Sequence, residues 1–183
     1  MSKENADKEQ KRSFKREVFS WIACIVVTIL LTEFILNFVI INANITSGSM
    51  ENTIMTNDKL IALRTSYWFN DPKRGDIIIF KYPDDETEWF IKRVIALPGE
   101  TVLVKDGKVY INGSKKALSE PYIKEEPVED FGPYKVPKNG YFVMGDNRNN
   151  SNDAREWETH YVSRDEVLGK AWFRYYPSIK VIK

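Results

Sequence analysis

The pattern of apolar and polar positions divides the chain into two parts. Residues 18–41 are almost continuously apolar and contain no Lys, Arg or Asp. At 1.5 Å per residue, a helix over this segment would extend about 36 Å, enough to cross the hydrocarbon core of a bilayer. We therefore predict a transmembrane helix over 18–41, with a short tail at 1–17 before it and a separate domain at 42–183 after it.

Positive charges are distributed unevenly around this apolar segment. The tail before it carries six Lys or Arg residues, whereas the first positive residue after it is Lys59. Because cytoplasmic flanks carry the excess of positive charge, we predict a single-pass cell-membrane protein with a cytoplasmic tail and an extracytoplasmic domain. A cleavable signal peptide is the alternative, since residues 41–43 loosely fit a cleavage site. The length of the apolar stretch favours a retained anchor.

Two polar residues, Glu33 and Asn37, interrupt the apolar segment. An ionisable group within a membrane span is a candidate for function or for helix pairing. The alternative, which we favour, is a carboxyl group that is protonated or that reaches toward the outer interface. The sequence does not assign a role to Glu33.

After residue 58 the pattern changes to short runs of β-branched and aromatic residues separated by turn residues, which is typical of strands. Asp106-Gly107 supplies the two-residue turn of one hairpin, because glycine tolerates the positive φ that such turns require. The predicted strands are 59–63, 76–82, 88–97, 101–104, 108–112, 141–145 and 167–176, and a polar loop is predicted over 114–135. The fold class is therefore mainly β, with one β-rich domain behind an N-terminal transmembrane helix.

Composition excludes several kinds of function. The net charge of +1 over 183 residues gives no basic excess that would indicate a nucleic-acid partner. The chain has one cysteine, Cys24, and one histidine, His160, which argues against a zinc site. The neighbours of His160 show no nucleophile or orienting pattern, so we expect a surface or loop residue. We expect neither a metal nor a cofactor.

A serine and a lysine remain as candidate catalytic groups. A serine hydroxyl needs a base to accept its proton, and a neutral lysine amine can serve. Such a lysine must be desolvated, because burial disfavours its charged form. Lys92 is the best candidate, since it lies within a strand and shares a face with Phe90 and Val94 in a period-two pattern. The alternative is a strand lysine whose ammonium group reaches water.

Two further segments place polar groups next to apolar runs. Residues 47–50, Ser-Gly-Ser-Met, directly follow the predicted span and form either a flexible joint or a nucleophile on a tight turn. Residues 145–157 are dense in Asn, Asp, Arg and Ser. They form either a connecting loop with an Asp153–Arg155 ion pair, or a loop that supports an active site with Ser151 at the lysine. Composition alone does not choose between these alternatives.

Taken in order, these segments resemble the type I signal peptidase family, the membrane-anchored Ser/Lys endopeptidases that remove signal peptides from exported proteins. The matching blocks are SGSM at 47–50, RGDIIIFKYP at 74–83, IKRVIALPGE at 91–100 and GDNRNNSNDAR at 145–155. The single anchor and the short chain are similar to the Gram-positive form. Lys92 stands where the eukaryotic and archaeal branch of the family carries a histidine.

The resemblance implies a role for each matching residue. Ser49 would be the nucleophile and Lys92 its general base, with the Ser49 N–H and the Ser47 hydroxyl as the oxyanion hole. Ser151 would orient Lys92. The implied supporting residues are Arg93, Gly145, Asp146, Asn147, Arg148, Asp153 and Arg155. The implied fold is a β-rich domain built around a coiled barrel of strands.

The resemblance also implies the partners, which are preproteins with signal peptides and a lipid bilayer. Cleavage would follow small residues at the first and third positions before the cut, typically Ala-x-Ala. Ile45, Met50, Ile54, Ile91 and the apolar strand at 77–80 are expected to line shallow pockets for them. The active site would face the membrane, and the aromatic cluster of residues 67–69 fits an interfacial contact. A core aromatic cluster is the alternative.

The chain departs from the family pattern at three positions in particular. Thr46 and Asn52 stand where prolines are usual, so the turn around Ser49 is expected to be looser. Ala154 stands where a serine is usual, which leaves the fine structure of the bracing loop open. These departures fit a specialised substrate range.

Three rival interpretations remain at this point. A self-cleaving Ser/Lys protein of the repressor type should carry an N-terminal DNA-binding module, whereas this chain has a predicted membrane span. A non-catalytic assembly factor for pilus or secretion machinery typically loses the serine or the lysine, and both are present here. In a generic anchored β-domain, Ser49 and Lys92 would be dispensable. An active enzyme is the interpretation we favour.

Overall fold

The computed structural model describes residues 3–182, with side chains from residue 14 onward. The described residues form two compact units that are divided between Val39 and Ile40. Residues 1 and 2 of the predicted tail, and residue 183 at the end of the predicted domain, lie outside the described part. The two units are considered separately below.

The first unit is one long helix. Helix α1 spans Lys3–Phe34 and continues as a π-helical segment, Ile35–Val39. Residues 14–39 are long and apolar enough to cross a bilayer. Asn37 Nδ2 donates to the Glu33 carbonyl oxygen at 2.9 Å and to the Glu33 carboxylate at 3.1 Å, so these two polar residues pair with each other on the helix surface.

The second unit is mainly β, as predicted, and all seven predicted strands are present with ends that differ by up to three residues. Its strands are β1 Ile40–Asn44, β2 Lys59–Leu63, β3 Ile77–Tyr82, β4 Asp85–Ala96, β5 Thr101–Lys105, β6 Lys108–Ile111, β7 Phe131–Lys135, β8 Gly140–Met144, β9 Val162–Ser163, β10 Val167–Tyr176 and β11 Lys180–Val181. The main sheet has the antiparallel order β1-β2-β10-β3-β4-β8-β9, with β11 paired to β10. A smaller sheet has the order β6-β5-β7.

The main sheet coils around an apolar cluster. Strand β3 contributes four consecutive apolar residues, 77–80, that are buried on both faces of the sheet. On one face, Ile77 and Ile79 belong to an apolar cluster that also contains Ile41 of β1 and Ile91 of β4. These two strands are four positions apart in the sheet, or about 19 Å if the sheet were flat. Because Ile41 and Ile91 nevertheless line the same groove, the sheet must curl strongly.

Two predictions about element boundaries were wrong. The span predicted over 18–41 ends two residues too late, because Ile40 and Ile41 belong to β1. The apolar run continues across this junction, so composition does not mark it. The loop predicted over 114–135 contains β7 at its end. Pro133 argues against a strand in the sequence, but β7 pairs only with β5 and an edge strand tolerates proline.

The aromatic cluster at residues 67–69 is divided between core and surface. Tyr67 is buried and its hydroxyl donates to Asp76 Oδ2 at 2.9 Å. Trp68 is 52% exposed and Phe69 is 91% exposed. The core interpretation therefore holds for Tyr67, and the surface interpretation holds for Trp68 and Phe69.

The aromatic packing around Phe80 generates a stability prediction. Phe80 is fully buried on β3, and its ring centroid lies 5.8 Å from that of Trp157 and 6.5 Å from that of Phe90. We expect Phe80→Ala to lower the free energy of unfolding by about 3–5 kcal/mol, because it removes buried apolar surface and leaves a cavity. Urea unfolding of the full chain in detergent micelles, followed by tryptophan fluorescence, measures the change.

Phe69→Ala is the matched control for that substitution. The Phe69 side chain is almost fully exposed, so the same chemical change there should alter the free energy of unfolding by less than about 0.5 kcal/mol. Equal losses in the two variants would contradict the assignment of Phe80 to the core.

Candidate active site

Ser49 and Lys92, which lie 43 residues apart in the sequence, meet in the second unit. Lys92 Nζ lies 2.7 Å from Ser49 Oγ. Lys92 is 4% exposed and Ser49 is 5% exposed, so both groups are shielded from water. The two side chains that the sequence singles out as nucleophile and base are therefore within hydrogen-bond distance.

The position of Lys92 on β4 explains its burial. The strand is buried from Ile91 to Ala96, and the Lys92 amine lies 5.3 Å from the centroid of the Phe90 ring. Burial lowers the pKa of Lys92 to about 8, while the Asp153 carboxylate raises this pKa and the Arg155 guanidinium lowers it. The alternative of a strand lysine that reaches water is therefore wrong for this structure.

The turn that carries Ser49 is tight and anchored. The Glu51 N–H donates to the Gly48 carbonyl oxygen at 3.1 Å, and the Ile54 N–H donates to the Met50 carbonyl oxygen at 2.8 Å. Met50 and Ile54 are fully buried in the apolar cluster on one face of β3. The turn is therefore held from below by two apolar side chains, and the flexible-joint alternative does not apply.

Two hydrogen-bond donors lie beside the Ser49 hydroxyl. Ser47 Oγ is 3.3 Å from Ser49 Oγ. Among the residues that the structure describes, no acceptor pairs with the Ser49 backbone N–H. Both donors can therefore bind an oxygen that carries negative charge next to Ser49.

The loop at 145–155 holds the Ser49 turn from the other side. Asn147 donates from its backbone N–H to the Ser49 carbonyl oxygen at 3.0 Å, and from its side chain to the Gly48 carbonyl oxygen at 2.9 Å. A Cβ atom at Gly145 would lie 2.4 Å from the Ser49 carbonyl oxygen and 2.2 Å from Ser151 Oγ. Only glycine fits there, so Gly145 allows the loop to pack directly on the turn.

Asp153 and Arg155 form the predicted ion pair and brace this loop. Arg155 Nε donates to Asp153 Oδ1 at 2.9 Å, and Asp153 Oδ2 accepts from the Gly145 N–H at 2.9 Å. Arg155 also donates to the Arg148 carbonyl oxygen. The carboxylate thus ties both ends of the loop together.

Ser151 is buried near the site, but its predicted contact with Lys92 is not formed. Ser151 Oγ makes no hydrogen bond to any residue within the described range 14–182. It packs against Gly145, which in turn packs against the Ser49 carbonyl oxygen. An orienting role for Ser151 toward Lys92 stays a prediction.

Arg93 and Asp146 support the site from the opposite face of β4. Arg93 Nε and Nη2 each donate to the Asp146 carboxylate at 2.8 Å, and both residues are buried. Arg93 Nη1 also donates to the Gly75 carbonyl oxygen at 2.8 Å. This pair connects β4 to the start of the loop at 145–155.

A groove of about 750 Å³ runs along Ser49 and Lys92. Of the expected pocket residues, Ile45 and Ile91 line it, together with Ile79 of the 77–80 strand. Met50 and Ile54 do not line it, which corrects the prediction for these two. They pack in the apolar cluster beneath, because the helical hydrogen bonds of the turn direct them into the core.

The groove also contains residues that sequence reasoning missed. These are Asn42 and Asn44 on β1, Glu88, Trp89 and Phe90 on β4, and Asn150 and Asn152 beside Ser151. The available signal was the sequence proximity of the last five to Lys92 or Ser151, since neighbours of a strand or loop site share its groove. No comparable signal marked β1, because its first two residues, Ile40 and Ile41, continue the apolar span.

His160 takes no part in this arrangement. Its Nδ1 lies 2.8 Å from the Ala154 carbonyl oxygen, and its ring packs against Phe131 and Tyr134 at centroid distances of 5.2 and 5.4 Å. It is a loop residue, as expected, but it is half-buried. The geometry therefore gives a serine–lysine site and no serine–histidine site.

Comparison with known proteins identifies relatives of this chain. The family model described as "Signal peptidase, peptidase S26" matches residues 18–176. A protein of Synechocystis named probable signal peptidase I-2 is 45% identical over 142 residues, which are 75% of this chain and 63% of that protein. The match therefore spans less than two thirds of the Synechocystis relative.

Other relatives match over different shares of their length. The signal peptidase I of Bacillus amyloliquefaciens is 34% identical over 185 residues, covering 96% of this chain and 97% of that protein. A crystal structure of a signal peptidase I from Enterococcus faecalis is 36% identical and covers 55% of this chain and 97% of that chain, with a TM-score of 0.48. Because the family model matches well over half of the chain and the Bacillus relative matches nearly all of it, the chain belongs to the signal peptidase I family, peptidase S26.

Proposed function

We propose that this protein is a membrane-anchored serine endopeptidase that removes N-terminal signal peptides from exported preproteins with a Ser49–Lys92 dyad. The observation that carries the proposal is the buried contact of 2.7 Å between Ser49 Oγ and Lys92 Nζ beside an open groove. Membership of the signal peptidase I family supports the substrate class.

The geometry supports a two-step acyl transfer. Neutral Lys92 accepts the Ser49 proton as Ser49 Oγ attacks the carbonyl carbon of the scissile peptide. The Ser49 N–H and the Ser47 hydroxyl bind the oxyanion that forms. Lys92 then donates the proton to the nitrogen of the leaving group. The Lys92 amine, neutral again, activates the water that hydrolyses the acyl-enzyme. No further group is needed in either step.

The burial of Lys92 makes this chemistry available near neutral pH. An unperturbed lysine has a pKa of about 10.4, so only about one amine in 2,500 is neutral at pH 7. A pKa of about 8 makes roughly a tenth of the amines neutral at pH 7. Desolvation therefore increases the population of the reactive base by about two orders of magnitude.

The groove suits an extended peptide. Strand β1 is the end strand of the main sheet, and β8 pairs with β4 only from Arg93 onward, so the edge of β4 before Lys92 is free among the described strands. Two unpaired strand edges can each bind a substrate strand through backbone hydrogen bonds. Side chains at the first and third positions of such a strand point to the same wall.

That wall explains the proposed preference for small residues. Near Ser49 this wall is formed by Ile45, Ile79 and Ile91, which are nearly completely buried. We expect this apolar wall to accept alanine side chains at the first and third positions before the cut. This is the Ala-x-Ala preference that the family resemblance implies.

We further propose that the helix at 14–39 anchors the protein with its N-terminal tail in the cytoplasm. The positive charges of the tail support this orientation. The domain that begins at Ile40 would then be extracytoplasmic and would act on preproteins at the membrane. The exposed rings of Trp68 and Phe69 would settle at the lipid headgroups.

The dyad predicts the result of substituting either member. We expect Ser49→Ala and Lys92→Met to reduce cleavage of an Ala-x-Ala preprotein by about 10³-fold or more, because each removes a group that no other residue replaces. Cleavage by the full chain in lipid vesicles, with the product identified by mass spectrometry, measures the loss.

Lys81→Met is the control for that experiment. Lys81 lies on β3, is partly exposed and pairs with Glu86 at 2.9 Å. It does not line the groove, so its loss should leave cleavage unchanged. Full activity in Ser49→Ala would refute the dyad. A folded wild type that cleaves no preprotein would favour the non-catalytic assembly factor instead.

The pKa of Lys92 predicts the pH dependence. The base must be neutral, so kcat/KM should fall about tenfold per pH unit below a pKa of about 8 and reach a plateau above it. Steady-state cleavage between pH 6 and about 10 measures this profile. An acid optimum, or a flat profile across this range, would contradict a lysine base.

A further inference from the structure

The turn that carries Ser49 is bound on its outer side by the segment Tyr122–Lys124, the outer segment, which the proposed mechanism does not use. Asn52 Nδ2 donates to the Tyr122 carbonyl oxygen at 3.0 Å and reaches the Ile123 carbonyl oxygen at 3.4 Å. Lys124 Nζ lies 2.9 Å from Glu51 Oε2. Two successive residues of the turn are thus tied to a segment about 70 residues later in the chain.

The Glu51 carboxylate transmits this contact to the residue before Ser49. Its Oε1 lies so close to Gly48 that a Cβ atom there would be only 2.7 Å away. Its Oε2 accepts from Lys124 and, at 3.4 Å, from Asn147, whose amide also donates to the Gly48 carbonyl oxygen. The Glu51 carboxylate therefore bridges the outer segment and the backbone of the turn.

The backbone of Asn52 matches this arrangement. Asn52 has a φ of 87°, in the left-handed region, which asparagine adopts more readily than most residues. Proline has its φ fixed near −65° and could not take this conformation. The asparagine thus gives both the turn geometry and the side-chain donor that reaches Tyr122 and Ile123.

The outer segment and Glu120 just before it are themselves fixed to the loop at 145–155. Glu120 accepts two hydrogen bonds from the buried Arg148 guanidinium, at 2.6 and 3.0 Å. The Lys124 N–H donates to the Asp146 carbonyl oxygen at 3.1 Å. The Arg93 guanidinium lies 3.9 Å from the centroid of the Tyr122 ring. The segment therefore offers the turn a rigid support.

We propose that Asn52 and Lys124 are positioning residues that hold the Ser49 hydroxyl at its distance from Lys92. This proposal rests on the proposed function. Neither side chain touches the Ser49 or Lys92 side chain, and neither lines the groove. Loosening the turn should therefore lower the fraction of enzyme in the reactive geometry and leave substrate binding intact.

The test compares two asparagines that share a left-handed backbone. Asn52→Gly keeps the turn conformation and removes the amide, since glycine accepts positive φ without strain. Asn112→Gly is the matched control. Asn112 has a φ of 54° and its side-chain oxygen accepts from the Thr101 N–H at 2.8 Å, but it lies in the turn that follows β6 of the smaller sheet. Lys124→Met is the second test variant, because it removes the charge and retains the length of the side chain.

The readouts are kcat, KM and the melting temperature of the full chain in lipid vesicles, with an Ala-x-Ala preprotein as substrate. We expect Asn52→Gly and Lys124→Met each to lower kcat about five- to tenfold and to leave KM within about twofold. Asn112→Gly should keep the wild-type kcat. If the loss of kcat reflected only unfolding, it would follow the melting temperature of each variant. Asn112→Gly would then lose as much kcat as Asn52→Gly whenever these two variants have the same melting temperature.

Two results would overturn the proposal. One is a wild-type kcat in Asn52→Gly. The other is a rise in KM that accounts for the whole loss of kcat/KM, since this would place the residue in substrate binding. These results are distinguishable from failure of the proposed function, in which the wild type and Ser49→Ala would be equally inactive.

Discussion

Removal of the Lys92 amine from water is the constraint on which the rest of the site depends. A charged ammonium in an apolar environment is strongly disfavoured, so burial shifts the equilibrium toward the neutral amine that can accept a proton. The strand supplies the burial, since it is enclosed from Ile91 to Ala96. The Ser49 hydroxyl supplies a polar partner at 2.7 Å, so the buried amine is not left without a hydrogen bond.

The neighbouring charges are arranged so that they do not cancel this effect. An unpaired carboxylate close to Lys92 would stabilise the ammonium and raise its pKa. The Asp153 carboxylate lies close enough to act on Lys92, but it is paired with Arg155 and accepts from the Gly145 N–H. The opposed influences of Asp153 and Arg155 leave desolvation as the largest cause of the shift. The ion pair can therefore brace the loop without holding the lysine in its charged form.

Buried ion pairs also define the geometry around the turn. Arg93–Asp146 and Arg148–Glu120 are buried pairs that join β4, the loop at 145–155 and the residues just before Tyr122. Such pairs contribute little net stability, because desolvation offsets their attraction, but loss of one partner leaves a costly unpaired charge. Alternative packings of these segments would separate the partners. The pairs therefore favour a single arrangement of the loop against the Ser49 turn.

The sequence was sufficient to predict those features that depend on local pattern. The alternation around Lys92 made it the best candidate for a buried amine but left open a strand lysine that reaches water, and β-branched runs predicted seven strands. Strand β1 was missed because its apolar residues continue those of the helix, and β7 was missed because Pro133 conceals an edge strand. The contacts of Asn52 and Glu51 with residues 122–124 could not be predicted, since they join segments that only the folded chain brings together.

The residue at position 52 stiffens its turn by a different physical means from a proline. Proline restricts φ in the unfolded chain as well as in the folded chain, so its effect needs no other contact. Asn52 instead relies on hydrogen bonds to Tyr122 and Ile123, which exist only when that segment is docked. The order of the Ser49 turn is therefore coupled to the docking of a remote loop. A change that undocks the loop through Glu120 or Arg148 would reach the nucleophile, although neither residue lies in the groove.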